Sequence, residues 1–71
     1  MFKRGDVVRL VDLTQYHARY DLHVGDVGVV IENSYKCRGD YDKMVDIAFF
    51  KNGSVITGTY ARRYELIHEE G

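Results

Sequence analysis

The chain contains no proline and no tryptophan, and Cys37 is the single cysteine among its 71 residues. One cysteine excludes an internal disulfide and a zinc site made of four thiolates. A chain of this kind suits a reducing compartment, so we expect a cytoplasmic protein. Proline-rich, repetitive and low-complexity tracts are also missing, which leaves no stretch that resembles a linker. We therefore expect one domain over residues 1–71.

Strong charge of either sign is also lacking, because ten Lys and Arg residues face eleven Asp and Glu residues, for a net charge of −1. Dedicated nucleic-acid binders usually carry a basic excess, so this balance disfavours that class without removing it. No apolar run approaches transmembrane length, and the first residues, MFKRGD, lack the apolar core of a signal peptide. We expect neither a membrane span nor a signal peptide.

Apolar residues at every second position predict a first strand over residues 6–12. Val8 and Leu10 fall on one face of this strand, while Asp6 and Arg9 are expected to reach water. Residues 13–23 show neither helical spacing nor strict alternation, and we interpret them as a long loop with room for a helical turn. Loops of this length in compact domains are often functional.

The run LHVGDVGVVIE, residues 22–32, combines an apolar strand with Gly25 and Gly28. Glycine weakens a strand unless a bend, a bulge or a close neighbour requires it. We interpret the run as a tightly curved second strand over residues 26–33, with both glycines serving the curvature. Gly28 and Val30 are expected to pack inward, with three neighbours partly buried, namely Val27, Val29 and Ile31.

The second half of the chain predicts three more strands. A polar loop over residues 33–43 precedes a strand over residues 44–50, on which Val45, Ile47 and Phe49 share a face. Lys51-Asn52-Gly53 is a strong hairpin signal, since Asn-Gly accepts the positive φ values of tight turns. A fourth strand follows over residues 54–59. Residues 60–67 then predict one helical turn and a short closing strand.

Five short strands joined in this way predict an all-β domain that closes into a small barrel, because closure removes exposed sheet edges. The core and turn positions follow the order Gly5-Asp6-x-Val8-x-Leu10, Gly25-x-x-Gly28-x-Val30, Val45-x-Ile47-x-Phe49 and Tyr64-x-Leu66. This order resembles the Src-homology-3-like (SH3-like) small barrels, a group that includes KOW and Tudor modules. The resemblance implies a five-stranded SH3-like barrel with one short helical turn before the last strand. One fold hosts many activities, so it implies little about function.

A second, partial resemblance covers residues 2–30 and rests on Phe2, Gly5-Asp6, Val8-Arg9, His17-x-Arg19, Tyr20 and Gly25-x-x-Gly28. In this order the residues resemble the barrel of the nitrile hydratase β subunit. In that family the metal and the catalysis belong chiefly to the α subunit. The resemblance therefore implies only that the long first loop packs against another protein.

Catalytic and metal-binding patterns are weak in this sequence. His17, His23 and His68 with Cys37 match no compact zinc spacing. Cys37 lies between two basic residues that can lower its thiolate pKa, but no partner base can be identified. Gly25-x-x-Gly28 lacks the lysine and the following helix of a phosphate-binding loop. We therefore expect a non-enzymatic chain without metal or cofactor.

The six tyrosines carry the most functional content, because they fall in predicted loops or at strand ends, interleaved with basic residues. Tyr and Arg are favoured at binding hot spots, which predicts a protein-interaction module of unknown partner. The expected contact residues are Tyr16, His17, Arg19, Tyr20, Tyr35, Arg38 and Tyr41. Alternatively, Tyr60 and Tyr64 close the barrel end, and other rings cover the small core.

The alternative function is a KOW-like nucleic-acid-binding module, since Tyr stacks on bases and Arg neutralises phosphates. The residues that would serve it are Arg9, Arg19, Lys36, Arg38, Lys43, Arg62 and Arg63. The small size of the barrel is also compatible with a phage, prophage or bacterial accessory protein. The oligomeric state does not follow from the sequence.

Overall fold

The computed structural model describes residues 2–33 and 44–68. Within these ranges the chain forms five strands, a short α-helix and a single 3-10 turn. The strands are β1 (Val7–Leu10), β2 (Val27–Asn33), β3 (Met44–Phe49), β4 (Val55–Tyr60) and β5 (Tyr64–His68). The helix, α1, spans Gln15–Arg19, and the 3-10 turn spans Ala61–Arg63. The all-β prediction is confirmed, including the helical turn before the last strand.

The strands form one antiparallel sheet in the order β4-β3-β2-β1-β5. The last strand returns to pair with the first, so β1 lies between β2 and β5. Register shifts interrupt the β1–β5, β2–β3 and β3–β4 ladders. Irregularities of this kind bend a strand and increase its twist. A curved, irregular sheet of this order is compatible with a small barrel.

The core consists of the inward faces that the alternation predicts. Val8 and Leu10 of β1 are fully buried, and Phe49 is 1% exposed at the end of β3. Phe2 and Ala61 pack against this core from outside the strands. The remaining core side chains are Leu22, Val30, Val45, Ile47, Ile56 and Tyr64. Leu22 and Tyr64 connect the first loop and the last strand to the core.

The two glycines of the curved run have different roles. Gly28 is buried in β2, and a Cβ atom there would lie 2.7 Å from both the Ala48 carbonyl oxygen and Ile47 Cγ2 of β3. Gly28 therefore permits the close approach of β2 and β3. Gly25 precedes β2 in a turn, where its φ of +101° favours glycine. Gly25 lies in the turn before β2 and Gly28 within it, so the interpretation that both glycines serve the curvature of the strand is supported for Gly28 alone.

Two further expectations are corrected by the observed burial. Asp6 was expected to reach water but is 1% exposed, because its carboxylate turns back to accept the Lys3 backbone N–H at 2.8 Å. Ile31 is 38% exposed rather than partly buried, and it lies where the β2–β3 register shifts. Gly28 and Val30 do pack inward, and Val27 and Val29 are half-buried as expected. The predicted loop over residues 33–43 falls, from residue 34 on, outside the described residues.

Candidate functional site

The helix α1 forms inside the long first loop because Thr14 caps it. Thr14 is in an extended conformation, and its Oγ1 accepts the backbone N–H of His17 at 3.3 Å. In return, the Thr14 backbone N–H donates to His17 Nδ1 at 3.1 Å. This reciprocal pair is a capping box in which His replaces the usual Glu or Gln. Two otherwise unsatisfied N–H groups thereby gain partners at the start of the helix.

His17 points away from solvent and is 1% exposed. Its Nε2 lies 2.8 Å from the Tyr64 hydroxyl, which lies 3.1 Å from Thr59 Oγ1 on β4. Because a backbone N–H can only donate, His17 Nδ1 is the acceptor of the Thr14 bond. The neutral ring therefore carries its proton on Nε2 and donates it to Tyr64, whose hydroxyl can donate to Thr59. The chain of bonds joins α1 to β5 and β4.

Burial has opposite effects on the two ionisable groups of this network. The pKa of His17 is lowered, first by burial and then by the positive charge of Arg63, while Asp12 acts in the opposite direction. Burial raises the pKa of Tyr64 to about 12, and the Thr59 hydrogen bond and Arg63 oppose this shift. Both groups are therefore neutral near pH 7. His17 is placed inside the fold and does not lie on the exposed candidate surface.

Three of the predicted contact residues are exposed on α1 and at its end. Tyr16 and Arg19 belong to the helix, Tyr20 is its C-cap residue, and the last two lie three and four positions after Tyr16. We call this set the α1 face. Tyr16 and Tyr20 are 46% and 44% exposed, and their rings pack edge to face with the ring centroids 6.0 Å apart. Arg19 is exposed beside them.

A groove adjoins the α1 face. Its volume is about 260 Å³, and it is lined by Thr14, Tyr16, Gly58, Thr59, Tyr60 and Arg63. Tyr16 thus belongs both to the α1 face and to one wall of the groove. Tyr60 also lines the groove, and the Arg62 guanidinium stacks 4.5 Å from the centroid of its ring. The lining of the groove therefore combines two tyrosines with Arg63.

The segment that carries α1 is fixed at both ends by residues that follow β3 and β4. At its start, the Arg63 carbonyl accepts the backbone N–H groups of Val11 and Asp12, at 2.8 and 3.2 Å. The Arg63 side chain also donates to the Asp12 carboxylate at 2.6 Å. At its end, Lys51 Nζ donates to the Asp21 carbonyl at 2.8 Å, and Asn52 Nδ2 donates to the Tyr20 carbonyl at 3.0 Å. The predicted β3–β4 hairpin thus holds the first loop.

The basic residues of the nucleic-acid alternative are placed differently. Arg9 forms an ion pair with Glu65 on the neighbouring β5, and its Nε donates to the carboxylate at 2.7 Å. Arg63 is paired with Asp12, and Arg62 stacks on Tyr60. Arg19 lies on the α1 face. The remaining predicted site residues lie outside the described residues, as does Cys37: Tyr35, Lys36, Arg38, Tyr41 and Lys43.

Sequence reasoning did not identify the network of Thr14, His17, Thr59 and Tyr64. One signal was present, because Thr14-x-x-His17 has the spacing of a capping box and precedes the helix directly. The partners Tyr64 and Thr59 lie 47 and 42 residues along the chain from His17, so no local pattern connects them. In residues 2–33 and 44–68, every buried side-chain nitrogen or oxygen has a hydrogen-bond partner.

In the part of the chain that the structure describes, three or more His, Cys, Asp or Glu residues are nowhere grouped to hold a metal ion. The helices in that same part are too short or too polar to cross a bilayer. Comparison of the chain with protein-family models, with curated proteins and with solved structures gives no match. Any functional conclusion therefore rests on the geometry of the α1 face and the groove.

Proposed function

We propose that this chain is a non-enzymatic protein-binding module of the SH3-like barrel class, acting in the cytoplasm. Its contact surface is the α1 face together with the adjoining groove. The observation that carries the proposal is the exposed set of Tyr16, Arg19 and Tyr20 on a helix that the buried His17 joins to the sheet. The module acts by binding and requires no cofactor.

The chemistry of the surface suits a protein partner. Tyr and Arg are enriched at binding hot spots, because a tyrosine offers a large apolar ring with one polar end. Tyr16 and Tyr20 each keep nearly half of their area exposed in the free chain. Arg19 adds a planar guanidinium that can bind a carboxylate through two parallel hydrogen bonds. Tyr60 and Arg63, which line the groove, are of the same two residue types.

The anchoring of the first loop favours binding by lowering its entropic cost. Ordering a loop and its side chains on association consumes part of the interaction free energy. Here the segment is already held by Arg63 at its start, by Lys51 and Asn52 at its end, and by His17 between them. The two tyrosines are therefore presented in a fixed arrangement before a partner arrives.

The nucleic-acid alternative has weaker support. Exposed tyrosines could stack on bases, but Arg9 and Arg63 are already paired with Glu65 and Asp12. A phosphate would have to displace these carboxylates. The net charge of −1 also provides no long-range attraction for a polyanion. These observations favour a protein partner.

The proposal is tested by selecting a displayed random-peptide library on the full chain and measuring the affinity of the enriched peptides. A Tyr16→Ala/Tyr20→Ala double variant should bind them at least about tenfold more weakly, because hot-spot residues each contribute more than about 1 kcal/mol. Val55→Ser is the matched control, since Val55 is equally exposed at the opposite end of β4 from the groove. Its affinity should be unchanged.

Equal binding by the double variant would contradict the proposal. The nucleic-acid alternative is tested on the same samples with single-stranded and duplex oligonucleotides over a salt series. If no peptide is enriched and oligonucleotides bind more tightly than ~0.1 mM at physiological salt, the alternative replaces the proposal.

A further inference from the structure

The hydrogen bonds of His17 all match a neutral ring. Nδ1 accepts the Thr14 backbone N–H at 3.1 Å, and Nε2 faces the Tyr64 hydroxyl at 2.8 Å. A protonated ring carries hydrogens on both nitrogens, and the hydrogen on Nδ1 would then face the Thr14 N–H. Thr14 Oγ1, 2.8 Å from Nδ1, has a second lone pair that can accept this hydrogen, but the Thr14 backbone N–H then has lost its acceptor. Protonation therefore breaks one of the two backbone hydrogen bonds of the capping box.

The surroundings of the ring also oppose a positive charge. The rings of Phe49 on β3 and Tyr64 on β5 pack edge-on against the His17 ring, with ring centroids 6.3 and 5.9 Å from its centroid. Among the charged groups of the described residues, Arg63 acts against protonation and Asp12 favours it. These two side chains are paired with each other at 2.6 Å, so the carboxylate is partly neutralised. Within those residues, Asp12 therefore compensates a buried imidazolium only in part.

We infer that His17 is a pH-dependent clasp, which holds α1 against the sheet while its ring is neutral and releases residues 13–20 when the ring takes up a proton. The release is local, because the contacts at either end of the segment use other groups. Arg63 keeps Val11 and Asp12 in place, and Leu22 stays buried in the core. Acidification therefore disorders the α1 face and leaves the strands folded. The clasp does not depend on the proposed binding function, although it would make that binding sensitive to pH.

The size of the effect follows from proton linkage. In the released segment His17 is solvated and has its ordinary pKa of about 6.5, whereas in the closed segment the pKa is lower. Between these two values the released form binds one more proton than the closed form. Its population therefore rises by up to about tenfold for each unit by which the pH falls. Well above pH 6.5 the population of the released form no longer changes with pH.

Nuclear magnetic resonance on the full chain tests the clasp. A titration should place the His17 ring proton on Nε2 at neutral pH and give a midpoint below 6.5. The backbone order of residues 13–20, measured by 15N relaxation, should fall with the same midpoint while β1 and β3 stay rigid. The His17→Gln variant should show no such pH response, and the His68→Gln control, in the exposed end of β5, should keep it.

Three results would overturn the inference. These are a proton on Nδ1 at neutral pH, backbone order of residues 13–20 that does not change through the His17 titration, and an unchanged pH response in His17→Gln. The first two are measured on the unmodified chain, so the test stands even if His17→Gln fails to fold. A failure of the proposed binding function would leave all three measurements unaffected.

Discussion

Replacing Gly28 by alanine tests why the second strand carries a glycine. A Cβ atom at this position would lie 2.7 Å from the Ala48 carbonyl oxygen and 2.7 Å from Ile47 Cγ2. Ordinary contacts of this kind begin near 3.4 Å, so β2 and β3 would have to separate by several tenths of an ångström. One of the two obstructing atoms belongs to the backbone of the paired strand, and it cannot move without disturbing the ladder. We therefore expect a clear loss of stability.

The magnitude is the difference of two terms. Overpacking of a well-packed site costs about 1–3 kcal/mol, and a backbone obstruction belongs at the upper end of that range. In the opposite direction, alanine lowers the conformational entropy of the unfolded chain relative to glycine, which stabilises the folded state by about 0.4–1 kcal/mol. The net loss in free energy of unfolding is about 2 kcal/mol. For a domain of this size that corresponds to a fall in Tm of roughly 8–16 °C. Thermal melting followed by circular dichroism measures it.

Gly53 provides the matched control, because its constraint is conformational rather than steric. Its φ is +73°, and a Cβ atom there would meet nothing within 4 Å. Asparagine tolerates this backbone conformation, so Gly53→Asn should cost less than about 1 kcal/mol, whereas Gly28→Asn should be at least as damaging as Gly28→Ala. A Gly28→Ala variant that melts at or above the wild-type temperature would refute the argument that β2 and β3 require this close approach.

Three further predictions concern the network around α1. Thr14→Ala removes the helix cap and should lower the free energy of unfolding, measured by urea titration, by about 1 kcal/mol. Thr14→Ser keeps the hydroxyl and should retain most of the stability that the cap provides. Equal losses in the two variants would argue against the cap. The pKa of tyrosine is about 10 in the unfolded chain, whereas burial raises the pKa of Tyr64 in the folded chain to about 12. Between pH 10 and pH 12 the unfolded chain therefore loses this proton first, and the free energy of unfolding should fall by up to ~1.4 kcal/mol per pH unit. Urea midpoints across that range should show a smaller slope in Tyr64→Phe, and an identical slope would contradict the burial of the Tyr64 hydroxyl. Asp12→Asn weakens the ion pair with Arg63, in which the Asp12 side chain is 60% exposed. Chemical denaturation should therefore show a loss in the free energy of unfolding below about 1 kcal/mol. A loss above about 2 kcal/mol would mean that solvent does not screen the pair.

The strands could be predicted because their signals are local. Val8 and Leu10 alternate with outward positions, and Val45, Ile47 and Phe49 do the same on β3. Chain reversal between β3 and β4 follows from Asn52-Gly53, where only a residue tolerant of positive φ fits easily. Each of these features depends on neighbours two or three positions away, and each is observed as predicted.

The interior of the site could not be predicted, because its contacts are not local. α1 is five residues long, too short for a helical period to show in the sequence. His17 was assigned to the exposed surface together with Tyr16 and Arg19, since all three share a polar loop. Its burial depends on Tyr64, which the chain brings alongside only when β5 pairs with β1. Asp6 differs, since the Lys3 backbone N–H that its carboxylate accepts is only three residues away, and the alternation of the strand carries no signal for such a bond.

Mapping a bound ligand by amide chemical shifts tests the central claim most directly, which is that this chain binds a protein partner through the α1 face and the groove. A peptide enriched on the full chain is titrated into 15N-labelled protein. The account predicts shifts concentrated at residues 14–20 and 58–63, and these should disappear in the Tyr16→Ala/Tyr20→Ala variant. Shifts that spare α1 and fall instead on Arg9 and the β5 edge would contradict it.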